Sequence, residues 1–355
     1  MAECRAVVDG TPLLGRRTGI GRYTDSLVRA LAATFPVDVS VLGLTLRGWP
    51  RLRADAPPGT RVTGFPVPAR ALRRCWARGA FPPVEMLARP ADVVHGTNFV
   101  LPPAVRTPGV VTVHDLAFLD APEELPPAER ELPELVRRSA HRAAVVCTPT
   151  AAVGAEVCER FRVPRSKIAV TPLGVDPEWF DAVPPDERLR SRHGLPEEYL
   201  VFVGADGPRK NLTGLLRALD PRLPPLVVAG PGASSPRERV VRTGYLPDEE
   251  LRRIVAGARA LVLPSREEGF GLPALEALAC GTPVVCSDVA ALREVTGGHA
   301  TLFPSGDGAA LRDALGEVLT RSADPGSVAA RREHAAGFSW KACAEATLDA
   351  YRRAL

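Results

Sequence analysis

Lysine is nearly missing from this 355-residue sequence: Lys167, Lys210 and Lys341 are the only lysines among 45 basic side chains. Arginine therefore does most basic duty throughout, and arginine counts alone carry little functional meaning. No run of 18 apolar residues occurs, which excludes a conventional transmembrane helix. The start, Met1-Ala2-Glu3-Cys4-Arg5, runs directly into a strand-like Ala6-Val7-Val8 and lacks the charged, apolar, small-residue layout of a signal peptide. The seven cysteines include no C-x-x-C pair, and Cys147, Cys280 and Cys286 lie in apolar runs. Reduced, buried thiols and a cytoplasmic location are expected, rather than disulfides or a zinc site. No strand is followed by G-x-G-x-x-G, and no G-x-x-x-x-G-K-[ST] phosphate loop is present. No D-x-D pair and no His/Cys cluster with ligand spacing points to a metal.

What is present is ordinary globular material, 45% hydrophobic and 24% charged, long enough for two domains. Strand-like segments at 5–8, 37–42, 61–65, 92–95, 109–113, 144–147 and 168–171 alternate with helical patterns at 20–33, 127–143 and 151–161. The second half repeats the plan without repeating the sequence. Strands are expected at 200–204, 226–229, 240–243, 260–263, 283–286 and 301–303, with helices at 211–219, 248–256, 273–279 and 307–320. Such alternation predicts an α/β protein of two Rossmann-like, doubly wound parallel sheets. Two such sheets facing each other would place the ligand site at their strand ends, in an interdomain cleft. The Pro- and Asp-rich stretch 177–185 lacks periodicity and is expected to be the linker, giving domains of residues 1–180 and 181–337. Residues 322–355 read as two helical pieces broken near Gly337.

Chemistry concentrates after the apolar run Ala260–Leu263. The segment Glu267-Glu268-Gly269-Phe270-Gly271-Leu272-Pro273-Ala274-Leu275-Glu276 reads as a loop entering a helix, with Pro273 in its first turn and Gly281 at its end. Gly269 and Gly271 would let a ligand approach the backbone, and the helix start offers N–H groups to an anion. Two carboxylates, Glu268 and Glu276, beside such a backbone suit a ligand carrying phosphate and hydroxyl groups, as a nucleotide sugar does. A second cluster follows the strand at 200–204: Gly204-Ala205-Asp206-Gly207-Pro208-Arg209-Lys210-Asn211. Adjacent cations there could hold a diphosphate and neutralise it as it leaves; they could also be two exposed loop cations before a helix.

Glu268-Gly269-Phe270-Gly271-Leu272-Pro273, closed by Glu276 at an E-x7-E spacing, resembles the signature of glycosyltransferase family 4. The resemblance implies a GT-B fold and retaining transfer from a nucleoside-diphosphate sugar, linked to GDP or UDP. It also implies that residues 338–355 cross back to pack on the first, acceptor-binding domain. It assigns diphosphate binding to Arg209 and Lys210, the ribose hydroxyls to Glu276, and the donor sugar to Glu268. The backbone N–H groups of Phe270, Gly271 and Leu272 would bind sugar hydroxyl and phosphate. Ala205 stands where many family members carry a further Arg, which suggests a subgroup with a small residue there. In the family a His placed like His114 reaches the transferred sugar, although His114 could instead cap its turn. Gly19 and Gly21, within Thr18-Gly19-Ile20-Gly21-Arg22-Tyr23, would open a helix toward the diphosphate, or simply make a tight turn. The segment Thr243-Gly244-Tyr245-Leu246-Pro247-Asp248 matches the part that recognises the base through its backbone. Asp248 could read guanine, or act as the N-cap of the following helix, the reading that cap chemistry favours.

The expected activity is therefore a metal-independent hexosyltransferase, acting without a cofactor on a hydroxyl of a glycan, lipid-linked or natural-product acceptor. A nucleotide-sugar epimerase or hydrolase on the same fold is the alternative, distinguished by turnover of donor alone. A silent binding module would bind without turnover. Between Arg47 and Arg89, nine arginines face only Asp55 and Glu85. That balance, with the amphipathic stretch 69–78, suits either a solvated face or peripheral contact with an anionic membrane; no nucleic-acid partner is expected.

Overall fold

A computed structural model of the chain describes residues 4–15, 19–120, 122–127, 129–232, 238–321 and 324–355. It separates into two compact units: Met1–Gly174 with Ser339–Leu355, and Val175–Phe338.

The first unit is built on seven parallel strands: β1 (Cys4–Asp9), β2 (Val37–Leu44), β3 (Arg61–Phe65), β4 (Val93–Gly96), β5 (Gly109–Thr112), β6 (Val145–Thr148) and β7 (Ile168–Val170). Their order is β3-β2-β1-β4-β5-β6-β7. The inner strands β4, β5 and β6 are buried at every position, as expected of parallel strands covered on both faces. The chain winds outward from β1 to β3 and then returns to β4 on the other side of β1, so the order reverses there. Helix Gly19–Thr34 and the terminal helix Trp340–Ala354 pack together, and the terminal helix also meets β5, β6 and β7. Gly174 lies so close to the start of this helix that an added Cβ would stand 2.2 Å from Trp340 N.

The second unit has six parallel strands: β8 (Leu200–Val203), β9 (Leu226–Ala229), β10 (Val240–Gly244), β11 (Ala260–Leu263), β12 (Val284–Ser287) and β13 (Thr301–Phe303). Their order is β10-β9-β8-β11-β12-β13, with the reversal between β8 and β11. Leu200, Phe202, Val228, Val262 and Val285 pack with Leu212, Leu215, Leu311 and Leu315 in one core.

Several elements differ from the sequence expectation. The helix expected from 127 begins at Leu132, with Pro133 in its first turn; the prolines at 126 and 127 lie in the turns before it. Helices Trp49–Asp55, Glu187–His193 and Ala290–Thr296 form where no helical pattern was expected. The stretch 177–185 is packed onto the second unit. Trp179 is buried there, and its carbonyl accepts from Cys280 Sγ at 3.4 Å. The amphipathic stretch 69–78 does form a helix, but Leu72 and Trp76 point into the core of the first unit, and Trp76 Nε1 donates to Pro82 O at 3.1 Å.

Candidate active site

Strands β8 and β11 lie side by side where the strand order of the second unit reverses. In open parallel sheets the crevice beyond the carboxyl ends of such strands is where ligands bind. The loops leaving these two strands are the two that the sequence singled out, 204–211 and 264–271. They are stitched together: Arg266 N donates to Arg209 O at 2.8 Å, and Asn211 Nδ2 donates to Pro264 O at 3.2 Å. Asn211 adopts φ of 52°, a left-handed conformation that Asn tolerates better than most residues.

Glu268 sits at the centre of this arrangement, its side chain 5% exposed. Lys210 Nζ donates to Oε1 at 2.5 Å, Ser265 Oγ to the same oxygen at 2.7 Å, and Arg209 to Oε2 at 3.1 Å. Burial alone would push this carboxyl up. The charges of Lys210 and then Arg209 outweigh it, and Glu268 is held below the usual glutamate range. Glu268 is thus an ionised carboxylate whose oxygens fix two cations side by side. The sequence singled out Arg209 and Lys210 jointly for a diphosphate and Glu268 for the donor sugar. Their mutual ion pairing was missed, and so was the part played by Ser265.

Glu276 lies on helix Leu272–Cys280 and is 2% exposed. This helix is buried on nearly all sides, so an ionisable side chain within it is a chemical exception. Phe270 is buried, with its ring centroid 6.0 Å from that of Phe338, and Leu272 opens the helix. Gly269 lies in the same turn. Gly271 has φ of 91°, and a Cβ there would lie 2.3 Å from Leu292 Cδ2. Its glycine is required by backbone conformation and packing, whereas the sequence suggested close approach of a ligand.

Leu246 is buried beside Pro247, which occupies the N-cap position of helix Asp248–Ala256 without a side-chain capping bond. Asp248 is the first helical residue and not its N-cap; with Glu249 and Glu250 it places negative charge in the first turn, where the helix dipole favours it.

Gly19, Gly21 and His114 belong to the first unit. Gly19 and Gly21 lie in the first turn of helix Gly19–Thr34; Thr18 falls outside the described residues. His114 is 8% exposed and follows β5. Its Nε2 lies 2.8 Å from Thr97 O, an atom that can only accept, so Nε2 carries the proton and Nδ1 keeps its lone pair. Burial holds the imidazole pKa down, offset in part by that hydrogen bond and by Asp115. The rings of Tyr23 and Phe99 meet it edge-on, with centroids 4.9 and 5.5 Å away. Beside it runs a buried chain that the sequence did not reveal. Tyr23 and His95 Nε2 both reach Thr112 Oγ1, at 2.9 and 2.8 Å, and His95 Nδ1 reaches Tyr351 of the terminal helix at 2.9 Å. Burial first, then the charge of His114, pushes His95 down to about 3.

Residues 17–179 match the family model described as Glycosyltransferase Family 4, and residues 197–321 match that described as Glycosyl transferases group 1. O-antigen chain mannosyltransferase B of Escherichia coli is 32% identical over 286 residues, covering 73% of this chain and 74% of that protein. D-inositol 3-phosphate glycosyltransferase of Kribbella flavida is 30% identical over a 392-residue alignment, covering 96% of this chain and 88% of that protein. The crystal structure of HepE from Anabaena in complex with UDP-glucose superposes with a TM-score of 0.71 over 98% of this chain and 99% of that one. Identity to it is 14%, so this likeness concerns the fold alone.

Proposed function

The chain belongs to glycosyltransferase family 4, a hexosyltransferase of GT-B fold, and from that premise we propose that its second unit binds a GDP- or UDP-linked hexose. The hexose passes, with retention and without a metal, to a hydroxyl of a glycan, lipid-linked or natural-product acceptor held by the first unit. The observation that carries this reading is the pair of cations tied to Glu268 at the switch point of the second sheet.

In this reading Arg209 and Lys210 meet the diphosphate and offset the charge that grows on it as the glycosidic bond breaks. Fixed, partly desolvated cations do this better than mobile ones, because little reorganisation is needed at the moment of reaction. Glu268 and Ser265 supply that fixity. Glu276 accepts from the ribose hydroxyls, which replace water around a buried carboxylate. His114, neutral and with a free acceptor nitrogen in its Nε2-protonated form, accepts from a hydroxyl of the transferred hexose. The backbone around Leu246 reads the base, and the first turn at Gly19 and Gly21 meets the diphosphate. The bound UDP-glucose of HepE supports a nucleotide sugar as donor, and the mannosyl and inositol relatives support hydroxyl acceptors. The proposal includes a cytoplasmic protein that touches anionic membrane through exposed arginines of 69–78.

Glu276→Gln keeps the volume of the side chain and removes its charge. Transfer should fall at least 100-fold, and the affinity for UDP or GDP at least tenfold, with the melting temperature nearly kept. Near-normal transfer by this variant would overturn the assignment. Donor incubated alone should turn over only slowly; fast conversion without acceptor would select an epimerase or hydrolase.

A further inference from the structure

Most arginines in the second unit have an acidic or carbonyl partner. Arg259 pairs with Glu198, Arg293 with Asp288 and Arg321 with Glu317, while Arg331 donates to Gly281 O. Arg217, Arg266 and Arg312 depart from this pattern. Among the described residues none of the three guanidinium groups has a carboxylate within 4 Å, yet all three line one concavity, with Asn211, Thr213 and Gly308. Of the nearby acids, Asp220 is bound by Arg222 at 2.8 Å and meets the charge of Arg312 only at longer range, and Asp307 accepts from Ala309 N and Ala310 N. The concavity has a volume of about 340 Å³, which places it in the small-molecule range of ~300–1,000 Å³.

Three cationic side chains around one hollow give it a positive potential that attracts an anion. Guanidinium forks and an amide beside a hydroxyl match the several acceptor oxygens of a phosphate. We infer that the hollow lined by Arg217, Arg266 and Arg312 is a second anion site, taking a phosphomonoester dianion, either free phosphate or a small phosphorylated metabolite. It is separate from the pair Arg209 and Lys210, although Asn211 and the backbone of Arg266 belong to the same two loops. The inference does not depend on what the second unit transfers.

The test is calorimetric titration of the full chain with inorganic phosphate at constant ionic strength, in wild type and in R217Q/R312Q. Both replaced side chains are exposed, so the variant should keep its circular dichroism and melting temperature. Phosphate affinity is expected to fall at least tenfold in R217Q/R312Q, while affinity for UDP and GDP changes less than twofold. Wild type saturated with nucleoside diphosphate should still take up one equivalent of phosphate. A parallel titration with a hexose 6-phosphate names the source: tighter binding than phosphate marks a metabolite, equal binding marks the free ion, and either supports the site. Equal phosphate affinity in wild type and R217Q/R312Q overturns the inference. So does loss of all phosphate binding on Lys210→Ala or on saturation with nucleoside diphosphate, since phosphate would then enter the donor site only. A chain that fails to bind UDP or GDP yet binds phosphate through Arg217 and Arg312 would defeat the donor assignment and leave this one standing.

Discussion

Glu268 is a buried carboxylate held between two cations, and its surroundings decide what acid does to the protein. Its carboxyl titrates below the glutamate value of 4.5 in the fold because Lys210 and Arg209 outweigh its burial. A depressed folded value means that its stabilisation is complete above about pH 4.5 and is lost as pH falls through the folded value. Glu268→Gln keeps the shape but leaves two cations without their counter-charge. Removing one partner of such a buried cluster costs about 3–5 kcal/mol. Denaturant unfolding at pH 7 should show a loss of that order, and the gap between wild type and Glu268→Gln should narrow in acid below pH 4.5. A gap that stays constant from pH 7 to pH 3 would show that the ion pairs contribute nothing. The sequence made Glu268 visible through its spacing to Glu276. It could not reveal that the carboxylate faces Lys210, because that meeting depends on β8 and β11 being neighbours.

At the scale of elements, the central strands β8, β11 and β12 were legible because each is a short, mainly apolar run, the mark of a strand buried on both faces. Helices Trp49–Asp55, Glu187–His193 and Ala290–Thr296 were not; seven residues give a period of 3.6 little room to show, although Leu212–Ala218 is equally short and was expected. The turn into helix Leu272–Cys280 was legible from its proline and glycines, but the reason for Gly271 was not. Its positive φ strains any residue with a Cβ, and Leu292 fills the space that a Cβ would need. Gly271→Ala should therefore destabilise the second unit by about 2–6 kcal/mol, from strain of order 1–3 kcal/mol plus overpacking of similar size. Leu292→Ala makes room, so in the double variant the clash disappears while the strain remains. A double-mutant cycle by urea denaturation should give a favourable coupling of about 1 kcal/mol. Strictly additive losses would mean that the side chain of Leu292 is not what excludes a Cβ.

At the scale of the whole chain, the fold class followed from alternation, and the points where the chain passes between units were expected after residues 180 and 337. They fall after Gly174 and after Phe338, because Trp179 and its neighbours pack on the second unit despite their proline-rich context. The same lesson governs the basic segment of the first unit. As a sequence, 69–78 has one apolar face and one arginine face, the pattern of a helix that lies in a membrane surface. In the fold that apolar face is used up: Leu72 and Trp76 belong to the core, and Arg70, Arg74 and Arg78 face solvent. No helix among the described residues is long and apolar enough to cross a membrane. The proposed contact with anionic lipid would then be electrostatic, at about 1 kcal/mol per arginine near the surface. Removing three arginines in R70Q/R74Q/R78Q should weaken binding by about 3 kcal/mol, roughly two orders of magnitude. Sedimentation with phosphatidylglycerol vesicles measures this directly. Binding should fall off between 0.1 and 0.5 M salt, roughly as the screening length shortens from about 10 Å toward 3 Å, and neutral vesicles should not pull the protein down. Binding that ignores lipid charge, or that survives both salt and the triple substitution, would place the membrane contact on other residues or remove it altogether.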